Sequence, residues 1–362
     1  MTKPNSIEIQ CKAHTTLQVA QPEMLHDVLI KELSDFATVL HHDEQQLTLQ
    51  VDLGVLDSVI VDQSIQTTIA SDSPANLHML RESVNHYAEE HMGLPPLTWS
   101  DEEEIAAGTL PPNCRIATVV GAKWLGQRFI RITLQAEQLE SYTSLGLHFR
   151  IGLPPTDRAP VWPHLSAKGK TLWPKGDDKL HTPAYTTVSV DLKRNQLTFD
   201  VFAHNKGQTC EWATGLVNGS ETRTTILLSG PGGNWLPPRE NLIIAGDETA
   251  LPAIRRTLQA ATADDNILAF VEMETVQDFE QTLAGIEDRV IPLVRSEGMS
   301  AKNALLNLDA DTIAGHYIWF AGEKADASEL RKVVSESWKV PNDQKYIAAY
   351  WSRDKATTSS DQ

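Results

Sequence analysis

The feature that most constrains the fold is an apolar run that ends in glycine and passes directly into a helical pattern. Residues 242–245 read LIIA, Gly246 follows, and apolar residues then recur at helical spacing up to Ile254. Such a run is typical of a buried strand, a tight turn and a helix N-terminus. Strand-then-helix units of this kind build parallel sheets that helices cover on both faces. A ligand of such a sheet usually binds beyond the carboxyl ends of the strands.

The same alternation of strands and helices continues through residue 351. It predicts strands over residues 242–245, 267–272, 289–293, 317–321 and 346–351. It predicts helices over residues 249–261, 276–284, 301–306 and 327–338. We therefore expect residues 239–353 to form an α/β parallel-sheet domain of the NAD(P)-binding kind, followed by a polar, disordered tail over residues 354–362.

Residues 113–238 have a different pattern, in which apolar and polar residues alternate along six segments. The segments are residues 115–125, 128–136, 147–153, 185–192, 196–204 and 225–229. Six strands with few helices predict a small antiparallel six-stranded β-barrel. Residues 156–181 interrupt this pattern with a stretch rich in Pro, Trp and Lys, and a loop of that length is often functional or partly disordered.

Acidic residues are concentrated before this predicted barrel. The chain has 362 residues and a formal net charge of −17. Residues 1–112 contain 18 Asp and Glu against 4 Lys and Arg, a balance of −14, whereas residues 113–362 contain 30 against 27, a balance of −3. This asymmetry predicts a multidomain chain with a small acidic module over residues 1–100 and a linker over residues 101–112. It also disfavours nucleic acid as a partner of the module.

Cysteine usage and hydropathy bear on the compartment. Cys11, Cys114 and Cys210 lie far apart without CxxC spacing, which predicts neither a zinc site nor a disulfide framework. No apolar run approaches the ~20 residues that a membrane helix needs. The N-terminus also lacks the apolar core of a secretory signal. We therefore expect a cytoplasmic protein without membrane insertion.

The acidic module itself has the pattern of a small α/β fold. Helices are expected over residues 22–40 and 73–91, and strands over residues 47–51 and 64–70. On the second helix two His and two Glu recur every fourth residue, at His78, Glu82, His86 and Glu90. These are ligand types for a divalent metal, but four side chains along one straight helix cannot close round a single ion. A charged, solvated helix face is therefore the preferred interpretation, and no metal site is assigned.

Several motifs in residues 113–353 occur together in a known family. Residues 245–254 read AGDETALPAI, residues 317–323 read YIWFAGE, and Tyr350-Trp351 closes the last strand. Residues 204–207 read HNKG with Trp212-Ala213 soon after, and residues 229–233 read SGPGG. In this order the motifs resemble those of siderophore-interacting proteins, which are FAD-dependent ferric-siderophore reductases with a ferredoxin reductase-like layout. The acidic module resembles an uncharacterised domain that some members carry in front.

The resemblance implies a flavin site. Tyr185 would stack on the isoalloxazine ring with Thr186 on its polar edge, although a Tyr of the barrel core fits the same pattern. A helix that begins near Gly207 would bind the pyrophosphate, because free N–H groups at a helix N-terminus bind anions. The turn at residues 247–250 would present backbone N–H groups and short polar side chains beside the flavin ring. The cofactor-binding residues expected on this basis are Tyr185, Thr186, Thr187, His204, Gly207, Thr209, Trp212, Asp247, Thr249, Ala250 and Trp351. For His204, a contact to phosphate or ribose and an ordinary strand-end role are equally compatible with the sequence.

The chain departs from the family at two positions. Family members usually carry one Arg shortly before the Tyr-Thr pair and another two residues after the Thr. Here residues 180–184 read LHTPA, and Val188 stands at the second position. Both charges that would hold the flavin phosphates are missing from this stretch, and His181, Lys206 and Lys179 are candidates to replace them. The chain also has no GxGxxG, so the usual dinucleotide fingerprint is absent.

For function, the resemblance implies reduction of a ferric-siderophore through FAD, with NADH, NADPH or reduced ferredoxin as electron donor and with release of Fe(II). Electron transfer through a flavin needs no general acid, base or nucleophile, so no catalytic side chain is assigned. A basic patch would bind the anionic substrate, and its candidates are Arg255, Arg256, Lys324 and Arg353. Two alternatives remain. One is a flavin reductase for a protein partner, with the acidic module as docking surface. The other is a non-enzymatic ferric-siderophore-binding protein with a weakened flavin site.

Overall fold

Two units make up the chain in the computed structural model, which describes residues 8–19, 22–33, 37–95, 97–100, 106–144, 147–204, 207–232, 236–275, 277 and 283–353. The acidic unit comprises residues 3–115 and 154–180. The two-sheet unit comprises the described residues of 116–153 and 181–353. Residues 154–180 were expected within a continuous barrel domain over residues 113–238, and their assignment to the acidic unit differs from that expectation. Residues 101–105 of the linker predicted over residues 101–112, and the predicted tail at 354–362, lie outside the described residues.

The first five strands of the acidic unit form one antiparallel sheet. Its elements are β1 (Cys11–Gln18), α1 (Glu23–Leu33), β2 (Thr38–His42), β3 (Gln46–Val51), β4 (Gly54–Val61), β5 (Ser64–Ser71) and α2 (Pro74–Met92). The strand order is β1-β5-β4-β3-β2. Alternate residues of β1, including Ala13 and Leu17, are buried in one core with Leu25 and Leu29 of α1 and Leu80 of α2. The sheet is therefore amphipathic, with its apolar face covered by the two helices.

Two predictions for this unit were wrong in detail. The helix expected over residues 22–40 ends at Leu33, and β2 pairs with β3 from Thr38 onward. The β-branched side chains of Thr38 and Val39 favour an extended backbone, and pairing at the sheet edge satisfies its hydrogen bonds. Strands β1 and β4 were not predicted, although their residues alternate between buried and exposed positions.

The middle of the chain supplies strands to the two-sheet unit and a short hairpin to the acidic unit. The elements in order are β6 (Cys114–Leu125), β7 (Phe129–Gln135), α3 (Ser141–Ser144), β8 (His148–Gly152), β9 (His164–Leu165), β10 (Thr171–Leu172), β11 (Ala184–Thr186), β12 (Ser189–Asp191), β13 (Gln196–Phe202), α4 (Gln208–Asn218) and β14 (Thr225–Gly232). Seven of these strands form one sheet with the order β11-β8-β14-β6-β7-β13-β12.

This sheet corrects the expectation of a six-stranded barrel. The segment expected as one strand over residues 185–192 divides into β11 and β12, which lie at opposite edges of the sheet. The backbone N–H of Thr187 donates to Leu147 O at 3.2 Å, beside β8, whereas the next N–H, of Val188, donates to Thr198 O of β13 at 2.8 Å. The two edges are thus brought together at adjacent residues and the sheet is rolled up. In the described part of the chain no continuous ladder of paired strands closes it.

The hairpin of residues 154–180 packs along α2 within the acidic unit. His78 Nε2 hydrogen-bonds Thr171 Oγ1 at 2.9 Å, and Glu82 Oε1 accepts from the Thr171 backbone N–H at 3.3 Å. Lys170 Nζ pairs with Glu89 Oε2 at 2.7 Å. This interpretation of the excursion was not available from the sequence, because its partners lie more than 80 residues away.

The face of α2 that carries the regularly spaced His and Glu residues is divided by these contacts. His78 is buried, and burial lowers its pKa to about 4. His86 and Glu90 are exposed and pair with each other at 2.8 Å. The prediction of a solvated face therefore holds for His86 and Glu90 but is wrong for His78. Within the described ranges no group of three or more His, Cys, Asp or Glu is arranged to hold a metal ion.

The C-terminal part of the two-sheet unit is a five-stranded parallel sheet, as predicted. Its elements are β15 (Asn241–Gly246), α5 (Leu251–Gln259), β16 (Asn266–Met273), β17 (Ile291–Val294), α6 (Ala301–Leu306), α7 (Ala310–Ile313), β18 (Tyr317–Glu323), α8 (Lys324–Lys332) and β19 (Lys345–Trp351). The order β17-β16-β15-β18-β19 places the change of winding direction between β15 and β18. The helix expected over residues 327–338 instead ends at Lys332 and continues as a π-helical turn, Val333–Ser337. Most of the helix expected over residues 276–284 lies outside the described residues.

Gly246 explains why the first strand of this sheet ends as it does. A Cβ at this position would lie 2.4 Å from Ala321 O and 2.5 Å from Ala250 Cβ. Real Cβ atoms do not approach other atoms that closely, because interiors are close-packed. Only glycine therefore allows β15, β18 and the turn into α5 to meet at this point.

Candidate functional site

The turn after β15 is closed by its own carboxylate. Asp247 is buried, and its Oδ1 accepts from the Thr249 backbone N–H at 2.9 Å and from Thr249 Oγ1 at 2.5 Å. Its Oδ2 accepts from Trp351 Nε1 at 2.6 Å. The AGDET motif and the terminal Tyr-Trp motif, 104 residues apart in sequence, are thereby joined at the carboxyl edge of the parallel sheet.

Burial sets the charge state of this carboxylate. Desolvation raises the pKa of Asp247 to about 6, with a further contribution from Glu248, while the hydrogen bonds from Thr249 and Trp351 act in the opposite direction. The group therefore titrates close to neutrality, which is unusual for an aspartate.

The same turn corrects one expectation about ligand binding. The N–H groups of Thr249, Ala250 and Leu251 donate within the turn, to Asp247 Oδ1, Asp247 O and Glu248 O respectively. Ala250 has no exposed surface. The N–H groups of Thr249 and Ala250 are therefore not available to a ligand, whereas the expectation for the N–H groups of Asp247 and Glu248 stays a prediction. The side chain of Thr249 is partly accessible and that of Trp351 is exposed.

A second polar chain runs from β11 to β19 through a half-buried histidine. Thr186 Oγ1 and His148 Nδ1 share a hydrogen bond of 3.2 Å, and His148 Nε2 shares one of 2.8 Å with Tyr350 Oη. The rings of His148 and Tyr350 also meet edge to face, with centroids 5.2 Å apart. Burial, with the nearby Arg256 guanidinium, lowers the pKa of His148 to about 4. At neutral pH the imidazole is therefore uncharged, with one donor and one acceptor nitrogen for its two hydroxyl partners.

Tyr185 lies on the opposite side of β11 from this chain. Its ring packs against Phe199 at a centroid distance of 5.0 Å, and its hydroxyl hydrogen-bonds Thr209. Burial raises the pKa of Tyr185, while the hydrogen bond with Thr209 acts in the opposite direction. Thr209 Oγ1 also shares a hydrogen bond of 3.0 Å with His181 Nε2. The structure thus gives Tyr185 the contacts of a core residue while leaving part of its surface accessible.

Thr187 has a buried hydroxyl without a protein partner. It is 1% exposed, and no hydrogen-bond partner for Oγ1 occurs among the residues that the structure describes. Its carbonyl oxygen accepts from Arg256 Nη1 at 3.4 Å. A buried hydroxyl without a bond is costly, and such a group at a functional segment indicates a missing ligand or water.

The start of α4 matches the expectation of an open helix N-terminus. Gly207 has φ of 89° and supplies no capping side chain, and a Cβ there would meet nothing within 4 Å. His204, nearby, is exposed.

Trp212 is fully buried, and its Nε1 donates to Arg223 O at 3.0 Å. Its assignment to the cofactor is therefore corrected, since it has no surface for a ligand. Lys206 lies outside the described residues, and Lys179 belongs to the acidic unit.

The structure does not bring the four predicted substrate residues together. Arg255 is buried and donates to Ala284 O at 3.0 Å, so its assignment to a surface patch is wrong. Arg256 donates to the carbonyls of Thr187 and Thr143 and belongs with the β11 segment instead. Lys324 and Arg353 are exposed, and both lie next to Glu323, which accepts from the Arg353 backbone N–H at 3.1 Å.

Sequence reasoning missed four residues of this region. Two of them, His148 and Arg150, stand on the polar side of β8. The third, Tyr350, was assigned only to a motif. The fourth is Arg295, which pairs with the carboxylates of Glu248, Glu272 and Glu274 at 2.7–3.0 Å. The alternation of His148 and Arg150 with Phe149 and Ile151 was a usable signal for their common face. No signal in the sequence identified the strand that pairs with β8, because the register between strands depends on distant segments.

Comparison with known proteins shows which family these motifs belong to. A family model described as the siderophore-interacting FAD-binding domain matches residues 118–235, and one described as siderophore-interacting protein matches residues 239–354. Over residues 118–354 the chain belongs to the siderophore-interacting protein family. Its relatives include ferric vibriobactin reductase ViuB of Vibrio cholerae, 25% identical over 257 residues that cover 67% of this chain and 90% of that protein. Ferric acinetobactin reductase of Acinetobacter baumannii is 27% identical over 183 residues, covering 48% and 62%.

Solved structures of the family share the fold. The siderophore-interacting protein SipS from Aeromonas hydrophila matches with a TM-score of 0.52 and 22% identity, over 67% of this chain and 92% of SipS. A siderophore utilization protein from T. fusca matches with a TM-score of 0.52 and 21% identity, over 68% and 96%. In the part of the chain that the structure describes, no helix is both long and apolar enough to cross a membrane.

Proposed function

We propose that this protein is an FAD-dependent reductase that transfers electrons to the Fe(III) of a siderophore complex and releases Fe(II). The observation that carries the proposal is the hydrogen-bonded chain Thr186–His148–Tyr350. It joins the two segments that family resemblance assigns to the flavin, one on the antiparallel sheet and one at the end of β19. Relatives named as ferric-siderophore reductases, at 25% and 27% identity, support the same class of reaction.

The residues present fit a flavin on three counts. The buried Thr187 hydroxyl has no partner among the described residues, so a polar atom of a ligand would satisfy it. Gly207 leaves open space at the N-terminus of α4, where N–H groups favour an anion. The exposed Trp351 ring, fixed at Nε1 by Asp247, offers an apolar surface to an aromatic ligand. Bound FAD would supply the redox chemistry, since it could accept two electrons from a donor and pass one to each of two Fe(III) complexes.

The protein's own residues would then orient the flavin and the substrate. Neutral His148 fixes the hydroxyls of Thr186 and Tyr350 without adding a charge to the site. Asp247 holds Trp351 and Thr249 in place, and at neutral pH it is mostly ionised. Exposed Lys324 and Arg353 would attract an anionic ferric-siderophore to the carboxyl edge of the sheet. The electron donor in this proposal is NADH, NADPH or reduced ferredoxin, and the site of action is the cytoplasm.

A visible spectrum of the purified protein tests the proposal. Flavin bands should be present or appear on adding FAD, bleach with one of the three donors, and return when ferric-siderophore is added. A colourless protein that does not take up FAD would overturn it and favour the non-enzymatic binding alternative, to which the arginines missing shortly before Tyr185 and at Val188 point. A flavoprotein that reduces only a protein acceptor would overturn the substrate assignment.

A further inference from the structure

The strand that carries Tyr185 lacks the positive charges of its family, and the neighbouring strand supplies one. In the β8–β11 ladder, Arg150 lies directly opposite Ala184, one residue before Tyr185. Side chains opposite each other in an antiparallel pair stand on the same face, with Cβ atoms about 5 Å apart. Arg150 Nη1 also donates to Thr182 O at 2.8 Å. The guanidinium therefore lies along residues 182–184, where the sequence has no cation.

Arg150 has no carboxylate partner among the residues that the structure describes. The ion pairs found within the described residues give carboxylate partners to Arg131, Arg158, Arg194, Arg223, Arg239 and Arg295, but not to Arg150. Its side chain is exposed, and in the described part of the chain its hydrogen bonding is the single contact to Thr182 O. A guanidinium has five N–H donors in a planar fork, which suits two oxygens of a phosphate. Most of these donors are left for a ligand.

The backbone beside Arg150 also supports anion binding at this place. Ile151 N–H donates to Pro183 O, and Thr187 N–H donates to Leu147 O, which fixes the alternation of the ladder. By that alternation the backbone N–H of Ala184 is directed away from β8. Because β11 is the edge strand of its sheet, this N–H has no ladder partner among the described residues. An anion beside Arg150 would thus meet a backbone donor as well as the guanidinium.

The first turn of α4 reaches this segment too. Thr209 hydrogen-bonds both His181 and Tyr185, which lie on either side of Pro183. The positive end of the α4 dipole is therefore close to residues 181–185. Burial and the nearby Arg223 lower the pKa of His181, so this histidine does not replace a permanent cation at neutral pH.

We propose that Arg150 replaces, from the neighbouring strand, the arginine missing before Tyr185, and that its guanidinium binds the pyrophosphate of FAD. This inference rests on the proposed function, since it assigns a residue to the same cofactor. Arg150 is a binding residue in this role and takes no part in electron transfer.

The test is a titration of the flavin-free full-length protein with FAD and, separately, with riboflavin, followed by flavin fluorescence. Arg150→Gln should weaken FAD binding by roughly 10- to 100-fold, the equivalent of a lost charge-assisted contact. Riboflavin binding should be unchanged, because riboflavin has no phosphate. Arg150→Lys should lose less, since it keeps the charge without the fork. Arg194→Gln is the matched control, because Arg194 is an exposed arginine of the same sheet whose partner is Asp191.

The outcomes separate this inference from the proposed function. If the wild type does not bind FAD, the proposed function fails and this inference with it. If the wild type binds FAD and Arg150→Gln binds it equally well, only the role of Arg150 is overturned. Equal weakening of FAD and riboflavin by Arg150→Gln would also overturn it, by showing a general disturbance of the site. Should Arg150→Gln not fold, Arg150→Lys and the salt dependence of wild-type FAD affinity decide the question. A contact between Arg150 and the phosphates would be contradicted if FAD affinity changed neither in Arg150→Lys nor with salt concentration.

Discussion

The turn after β15 and the edge formed by β8 and β11 contrast in how their polar groups are satisfied. In the turn, Asp247 bonds Thr249 and Trp351, and the N–H groups of residues 249–251 stay within the turn. At the edge, Thr187 Oγ1 has no partner and Arg150 no carboxylate among the described residues. The motif most specific to the family is therefore a structural closure. We propose that the unsatisfied groups of this edge, on the strand that departs furthest from the family pattern, contribute to ligand binding.

The largest effect is expected where the closed turn is most crowded. Gly246→Ala would place a Cβ 2.4 Å from Ala321 O, between two strands that cannot separate without breaking the sheet. We expect a loss of about 3 kcal/mol of unfolding free energy, measured by denaturant unfolding. Gly232→Ala is a suitable control, since its Cβ would meet nothing within 4 Å. An equal loss in both variants would show that crowding at Gly246 is not the cause.

The titration of Asp247 in this turn should make the free energy of unfolding depend on pH. The pKa of Asp247 is about 6 in the folded protein against 3.8 ordinarily, so the folded state binds the proton more tightly than the unfolded chain. Its contribution is therefore fully present below pH 4 and is lost as the pH rises through 6, by about 3 kcal/mol at 1.4 kcal/mol per pKa unit. Asp247→Asn removes this dependence. The check is the difference in unfolding free energy between variant and wild type from pH 4 to 7, and a constant difference would contradict the raised pKa.

His148 gives this measurement a control of opposite sign. Its pKa is about 4 in the folded protein against 6.5 ordinarily, so its contribution is present above pH 6.5 and is lost as the pH falls through 4. The difference between His148→Gln and wild type should change with pH in the direction opposite to that of Asp247→Asn. Two differences that change in the same direction would show that neither group is responsible.

A smaller effect is expected at the unsatisfied edge. Thr187→Val removes a buried hydroxyl that has no protein partner in the described ranges, so the FAD-free protein should gain about 1 kcal/mol of stability. Thr186→Val, one residue earlier, removes the bond to His148 and should lose about 1 kcal/mol. Thermal unfolding of both variants without and with FAD is the measurement. If Thr187→Val also lost stability without FAD, the hydroxyl would have a partner in the protein after all.

The smallest effect is expected at the exposed basic residues. Lys324→Gln should raise KM for an anionic ferric-siderophore about threefold at low ionic strength, with kcat unchanged, because an exposed charge acts mainly on encounter. Lys332→Gln, at the other end of α8, is the matched control. An unchanged KM in Lys324→Gln would remove this residue from the substrate surface.

Sequence reasoning was most successful where local pattern decides the structure. The parallel sheet follows from apolar runs such as residues 242–245, which are buried on both faces whatever their neighbours. It was least successful where register decides. The segment 185–192 has one continuous strand pattern, yet adjacent N–H groups of Thr187 and Val188 bond to opposite edges of the sheet.

The candidate site shows the same division. Asp247 and Trp351 were identified from motifs and lie together. Arg255 was assigned by residue type and Trp212 from a family motif, but neither basis indicates which way the side chain faces. His148 and Arg150 were missed because their importance depends on a pairing partner more than 30 residues away.

The hairpin of residues 154–180 changes what it means to remove the acidic unit. The chain leaves the two-sheet unit at Leu153 and re-enters it at His181, and these two residues already pair as a β-bridge. The chain therefore passes between the units three times, and a protease cut in the linker would not release residues 1–100, which would stay attached to α2's partner hairpin. A clean excision joins residue 153 to residue 181 through a short turn and takes the hairpin away together with the acidic residues.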